Sequence, residues 1–293
     1  MFYHDNKLQY TVRVDKPNPA FAKLLQQAIG GIEGEIRVCL QYLFQAWGAR
    51  GPNKYRDMLL DTGTEEISHI EMLSTAVALN LEGATNELKD KVAGENPIVG
   101  SILGGMDPRH VLSSGLAAMA VDSNGVPFNG SWVVGSGNIA ADMYANVMAE
   151  STGRVLATRL WELTDDAGMK DMLAFLIARD TMHQNQWLAV LEDLGGVNAN
   201  LPIPNTFPLS EQVSQFEYQF ISTNIEKQTP PDARWVSGPS IDGKGEFSYV
   251  QAMPHGQEPV LGPPDPQGHA QSQQMQGGTD KGILENIKDT VLP

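Results

Sequence analysis

The chain has 293 residues, with 35 acidic against 20 basic side chains, a net charge of −15 and 41% hydrophobic residues. These figures describe a folded protein with one large core and appendages, and the charge excludes nucleic acid or an anionic membrane surface as a main partner. The single cysteine, Cys39, excludes an intrachain disulfide and thiolate-built zinc or iron–sulfur sites. The opening MFYHDNKLQYTVRV has no signal-peptide character, and no apolar run reaches the length of a membrane span. The expectation is a cytoplasmic protein without a membrane partner.

Residues 1–17 read as an extended N-terminal segment. A first helical stretch runs from about Asn18 to Gly48, with Phe21, Leu24, Ala28, Ile32, Glu35, Cys39 and Tyr42 on one stripe. The turn RGPN (50–53) leads into a second, about Asn53 to Leu81, which aligns Met58, Thr62, Glu66, His69, Leu73 and Ala76. A long connection over 83–137, rich in Gly, Pro and Asn, follows, with a short helix expected around His110–Val121. A third helix starts after SGN (136–138) and aligns Ile139, Met143, Asn146, Glu150, Gly153, Ala157 and Leu160. After DDAG (165–168) the fourth, about Gly168 to Leu194, aligns Leu173, Leu176, Asp180, His183, Trp187 and Val190.

Each stripe has the three-to-four spacing of a core-facing helix. The short turns pair the first helix with the second and the third with the fourth. The fold class is therefore all-α: a four-helix bundle over 18–200 with one long crossover. From 201 to 293 the sequence becomes a Pro/Gly/Gln-rich extension with no core of its own, expected to wander or to wrap the body or a neighbouring subunit.

Ionisable residues interrupt all four apolar stripes. Glu66 and His69 stand three apart on one helical face, as do Asp180 and His183. With 35 acids in the chain, six histidines give fewer than one acid-x-x-His pair by chance; there are three. The third, Asp107/His110, encloses Pro108 in a turn-rich stretch and is set aside. The pairs alone prove little, but their phase does more. Glu35, Glu66, His69, Glu150, Asp180 and His183 all fall on the buried stripes, where each uncompensated group costs several kcal/mol.

The intervals also repeat: Glu35 to His69 spans 34 residues and Glu150 to His183 spans 33. A Glu from each of two helices with an acid-x-x-His from each of the others is the bundle-core dinuclear pattern. Oxygen and imidazole donors without thiolate suit manganese or iron. Glu33 lies about 200° from Glu35 around the helix and falls off the stripe. Glu65 competes with Glu66, and only the hairpin spacing favours Glu66.

GGIEGEIRVCLQYLFQ (30–45), DTGTEEISHIEML (61–73), VPFNGSWVVGSGNIAADMYANVMAESTGR (126–154), LIARDTMHQNQW (176–187) and WVSGPSIDGKGEF (235–247) resemble the manganese catalase family. The resemblance implies a ferritin-like bundle, usually a homohexamer. It implies disproportionation of hydrogen peroxide to water and dioxygen by two manganese ions per subunit, cycling between the Mn(II) and Mn(III) pairs. By the same resemblance, Glu35, Glu66, His69, Glu150 and His183 are the metal ligands, with one Glu bridging.

The family's outer-sphere Glu base falls here on Asp180, one methylene shorter, which acts as base through water or swings in as a ligand. Tyr42 is expected either to hydrogen-bond Glu35 or simply to pack in the core. Ala149 replaces an Arg of some members. Asp57 and Asp61, one turn apart, resemble acids that bind calcium in some members, with Ser240 and loop carbonyls as further oxygen donors. Balancing of the helix N-terminal charge explains the same two acids. Two rival functions remain open: a ferritin-like di-iron ferroxidase or oxygen-activating protein, and a structural spore-coat component, since relatives of the family are built into spore coats.

Overall fold

The computed structural model describes residues 4–82, 105–204, 206–224, 232–251 and 256–260. Seven α-helices occur among them: α1 Pro19–Gly30, α2 Glu35–Gly48, α3 Asn53–Leu81, α4 Pro108–Leu112, α5 Ile139–Glu162, α6 Ala167–Asp193 and α7 Gly196–Asn200. The bundle is ferritin-like. The α2–α3 and α5–α6 hairpins are its two halves, with α1 packed on α3 and α2 reaching across to α5.

The sequence expected one helix over 18–48, and the chain makes two. Asn18 caps α1 by accepting from the Phe21 amide, with Pro19 at the first helical position. The break comes at GGIEG (30–34). A Cβ on Gly30 would lie 2.5 Å from the Val121 backbone, and one on Gly34 would lie 2.7 Å from the Ile29 carbonyl. Close backbone approach at both ends of the joint thus requires glycine. The bend also removes Leu24 and Ile32 from the supposed stripe, and both are exposed. Its consequence for the site is that Glu35 becomes the first residue of α2, where a carboxylate meets the positive end of the helix dipole.

The other helix ends follow local chemistry. Asn138 caps α5 through the Ala141 amide, and Asp166 caps α6 through the Met169 amide at 2.9 Å. The other Asp166 oxygen accepts from the amides of Asp15 and Lys16, tying the N-terminal segment to the bundle. The short helix expected over 110–121 is confined to Pro108–Leu112. Gly115 and Leu116 follow with φ of 59° and 70°, a left-handed turn that no helix continues through. The crossover stretch 83–104 and the tail 261–293 lie outside the described residues.

The core has two clusters. One gathers Phe21, Leu25, Ile29, Met72, Leu73, Leu160, Met169 and Leu173; the other gathers Tyr42, Leu59, Met143, Ala149, Trp187 and Val190. On α3 the sequence passes from Leu59 in the second cluster to Met72 in the first. On α6 it passes from Leu176 in the first to Trp187 in the second. The ionisable residues occupy the gap on each helix, so apolar packing encloses them from both ends.

Beyond α7 the chain divides. Residues up to Tyr218, together with Gly238–Phe247, belong to the compact unit of the bundle; Gln219–Ser237 and the chain from Ser248 form a second unit. The second unit holds a parallel strand pair, β1 Gln219–Ser222 with β2 Ser248–Gln251, in register Gln219 to Ser248. Helical periodicity gave no sign of these strands. Among the described residues, no helix is long and apolar enough to cross a membrane.

Candidate metal centre

Four helices bring the polar residues of their stripes to one buried point. α2 contributes Glu35, α3 Glu66 and His69, α5 Glu150, and α6 Asp180 and His183. Glu66 and His69 are 1% exposed, Glu150 4%, Asp180 6% and His183 fully buried.

His69 Nδ1 lies 2.6 Å from Glu66 Oε2 and 3.9 Å from Glu35 Oε2. His183 Nδ1 lies 3.0 Å from Glu66 Oε1 and 3.3 Å from Glu150 Oε1. Ligand atoms of Glu35, Glu66 and His69 fall within 4.8 Å of one another, and so do those of Glu66, Glu150 and His183. Glu66 belongs to both sets, one carboxylate oxygen turned to each imidazole. Glu66 Oε1 and His183 Nδ1 lie 3.0 Å apart, yet both are buried polar atoms without a hydrogen-bond partner. Polar atoms in that condition are costly unless something shared satisfies them.

The electrostatics describe the same demand. Burial raises the Glu35 carboxyl to about 8, with the Glu66 charge adding to it. Burial raises Asp180 to about 9, reinforced by Glu35, Glu150 and Glu66. Burial also raises Glu150, the adjacent His183 only partly offsetting it. Glu66 is pushed up by burial but held down to about 2 by His69 and His183. Against burial, the surrounding carboxylates raise His183 to about 12 and His69 well above its ordinary value. Without cations, protons must neutralise this cluster; two divalent cations do it directly, and the oxygen and imidazole donors fit hard-to-borderline metals.

One expectation is corrected here, the hydrogen bond from Tyr42 to Glu35. The Tyr42 hydroxyl, fully buried, donates to Glu150 Oε1 and not to Glu35, while its ring packs on Trp187 at 4.8 Å. Glu65, the rival of Glu66, lies on the outer side of the imidazoles, its oxygens 3.2 Å from His183 Nε2 and 3.6 Å from His69 Nε2. Glu33 accepts from Gln27, away from the centre. Asp107 caps α4 through the Arg109 amide, and His110 is buried apart from the cluster. Cys39 is a core residue whose thiol donates to the Gly63 carbonyl, and burial pushes it up to about 12. Ala149 is buried in the second core cluster, beside Trp187 and Met143 among its members.

Asp57 and Asp61 are exposed on α3, and neither joins a metal-ligating group of three among the described residues. The Ser240 hydroxyl donates to Asp242 at 2.6 Å and accepts from the Gly245 amide.

Sequence reasoning missed two features. Arg179 grips Glu65 through Nε at 2.7 Å and Nη2 at 3.2 Å, and Gln9 donates to the same carboxylate at 2.8 Å. Gln41, Gln45 and Asn146 form a buried amide network one turn from Glu150. The adjacent pairs Glu65-Glu66 and Arg179-Asp180 were the available signal for the first: neighbours about 100° apart on each helix, one facing in and one facing its counterpart.

Fold and site together define a ferritin-like carboxylate–histidine protein, with ligand atoms arranged for two cations around one shared Glu. The comparisons narrow the class. Residues 1–281 match the family model described as manganese containing catalase. The manganese catalase of Bacillus subtilis (strain 168) is 47% identical over 267 residues, covering 91% of this chain and 96% of that one. The manganese catalase of Lactiplantibacillus plantarum is 43% identical over 194 residues, 66% of this chain and 72% of that one. The crystal structure of wild-type KatB, a manganese catalase from Anabaena, superposes with a TM-score of 0.66 at 25% identity, covering 85% of this chain and 99% of that one. The chain belongs to the manganese catalase family.

Proposed function

We propose that this chain disproportionates hydrogen peroxide to water and dioxygen at two manganese ions held by Glu35, Glu66, His69, Glu150 and His183. The observation that carries the reading is the sharing of Glu66 between two ligand sets, so that one carboxylate would help to hold both ions. When bound, the metal pair supplies a two-electron couple that is oxidised by one peroxide and reduced by the next.

The protein's own groups set the conditions for that exchange. The two apolar clusters exclude bulk water from the centre. Tyr42 fixes one oxygen of Glu150, which orients that carboxylate toward His183. No described residue hydrogen-bonds the Asp180 carboxylate, so it is free to take a proton from one peroxide and return it to departing water. On this reading Asp180 is the base and the five residues named are the ligands. Tyr42 serves the reaction through Glu150.

The reading carries two further expectations of the family resemblance, a homohexameric assembly and calcium at Asp57, Asp61 and Ser240. The exposed pair of acids on α3 supports the second; sedimentation and calcium analysis of the purified protein test both.

The deciding experiment measures dioxygen evolved per peroxide consumed by the manganese-loaded protein, with Glu66→Ala alongside. One dioxygen per two peroxides, lost in the variant, is expected. Peroxide loss without dioxygen, or dioxygen uptake by iron-loaded protein with no manganese turnover, overturns the reading in favour of a ferroxidase.

A further inference from the structure

Resting on that reading, we propose that Glu65 is a positioning residue for both histidines. Its carboxylate, clamped by Arg179 and Gln9, hydrogen-bonds the outer nitrogen of His183 and faces that of His69 at 3.6 Å, and so keeps both Nδ1 atoms toward the metals. A neutral imidazole carries one proton, and the partner of one nitrogen decides which nitrogen is left to ligate.

The geometry is asymmetric in a useful way. Glu65 Oε2 stands 3.2 Å from His183 Nε2 in a hydrogen bond. Glu65 Oε1 stands 3.6 Å from His69 Nε2, beyond hydrogen-bond length. That His69 nitrogen is buried and has no hydrogen bond, while the opposite nitrogens of both rings face Glu66. The same two oxygens are already oriented from outside. Arg179 binds both, and Gln9, from the N-terminal segment, binds Oε1 and accepts from Ser68. A carboxylate held in a two-toothed guanidinium grip keeps its plane and does not rotate freely.

The grip matters because the outer side is open. Gln9, Glu65, Ser68 and Arg179 line a cavity of about 660 Å³, together with His4, Asp61 and Phe175 among others. An unclamped Glu65 would swing toward that cavity and hydrate, leaving two imidazoles free to turn. One carboxylate thus bonds one imidazole and faces a second, on different hairpins, from the side away from Glu66.

The test loads the full-length protein and the variants Glu65→Gln, Glu65→Asp and Arg179→Gln with manganese. Three readouts are taken: metal per chain, apparent dissociation constant against a chelator, and the electron paramagnetic resonance spectrum of the loaded Mn(II) state. Glu65→Gln presents an amide N–H where one imidazole must donate, and about 10–100-fold weaker manganese binding with an altered spectrum is expected. Glu65→Asp keeps the charge and recovers part of the affinity; Arg179→Gln loosens the carboxylate and gives a smaller loss in the same direction. A purely structural ion pair would lower thermal stability without changing the spectrum.

Wild-type affinity and spectrum in Glu65→Gln overturn the proposal; if that variant does not fold, the same result in Arg179→Gln overturns it. A wild-type protein that holds no manganese pair overturns the parent reading as well, and so separates the two failures.

Discussion

The two hairpins of the bundle offer the same pattern and use it differently. The α2–α3 hairpin supplies Glu35, then Glu66 and His69; the α5–α6 hairpin supplies Glu150, then Asp180 and His183. Glu66 touches both imidazoles. Asp180, its counterpart, touches neither within ion-pair distance among the described residues and carries no hydrogen bond. Asp180 is one methylene shorter and makes neither contact, although it too is buried at the centre. A near-repeat that would give a symmetric six-residue cage gives instead five converging groups and one free carboxyl.

Breaking the shared carboxylate has the largest expected effect. Glu66→Ala removes a ligand from both sets at once, so metal content should fall for the pair and not for one ion. Catalase turnover should fall at least about a thousandfold, of the order seen when the members of a concerted site are removed. Metal analysis alongside oxygen electrode rates checks this, and a variant that retains one full equivalent would show that the two sets are independent.

Changing the free carboxyl comes next. Asp180→Asn should retain both metals and lose about 10²–10⁴-fold in turnover, the range for a positioned proton acceptor. Asp180→Glu should preserve most of the activity, because it keeps a carboxylate at this place. Loss of metal in the asparagine variant would instead make Asp180 a sixth ligand and restore the symmetry of the hairpins.

How much of this contrast was legible in the sequence depends on whether a residue's partner lies on its own helix. The bounds of α3 came out as expected, Asn53 to Leu81, because RGPN and the polar break after Leu81 frame a continuous apolar period. The start of α5 was visible in the asparagine of SGN, whose side chain caps it. The break between α1 and α2 was not, because the apolar phase carries across GGIEG by coincidence and only contact with Val121 explains the glycines.

The shared stripe offered Glu35 as one partner for Tyr42, with core packing as the other role, yet seven helical residues separate the two by about 10 Å. Its acceptor, Glu150, comes from another helix. Periodicity identifies which residues face inward; it does not say which of them meet. The choice between Glu65 and Glu66 was beyond it for the same reason, since only the placement of α6 puts Arg179 outside and His183 inside.

The charge balance of the metal-free centre gives a pH prediction. The Glu35 and Asp180 carboxyls have ordinary values of 4.5 and 3.8, raised in the fold to about 8 and 9 chiefly by burial. Between about pH 5 and 8 the folded chain therefore holds protons that the unfolded chain has released, and stability falls as pH rises through that window. His183 and His69, also raised, add to the fall above 6.5. Glu66, held at about 2, works in the opposite sense but only below its ordinary 4.5. The slope is at most about 1.4 kcal/mol per pH unit for each proton involved. Thermal melts of the metal-free protein from pH 5 to 9 should show a steady decline. Manganese, which displaces those protons, should flatten it; a metal-free Tm that rises over the range would contradict the charge assignment.

The smallest expected effect separates orientation from ligation in the second hairpin. Tyr42→Phe removes the one hydroxyl on Glu150 while keeping the ring that packs against Trp187. Burial of the phenyl ring is unchanged, so the loss is one hydrogen bond to a charged acceptor, about 1.5–3 kcal/mol before any compensation. In the metal-loaded protein the Glu150 oxygen retains its cation, and the cost should shrink toward the lower end. Turnover should fall by less than in Asp180→Asn, and both metals should stay bound. If Tyr42→Phe instead released metal, Glu150 would depend on Tyr42 for its place, and the second hairpin would be the weaker half of the cage. Chelator competition on the loaded variant decides between these outcomes, because it reads the grip of the α5–α6 half without passing through the reaction.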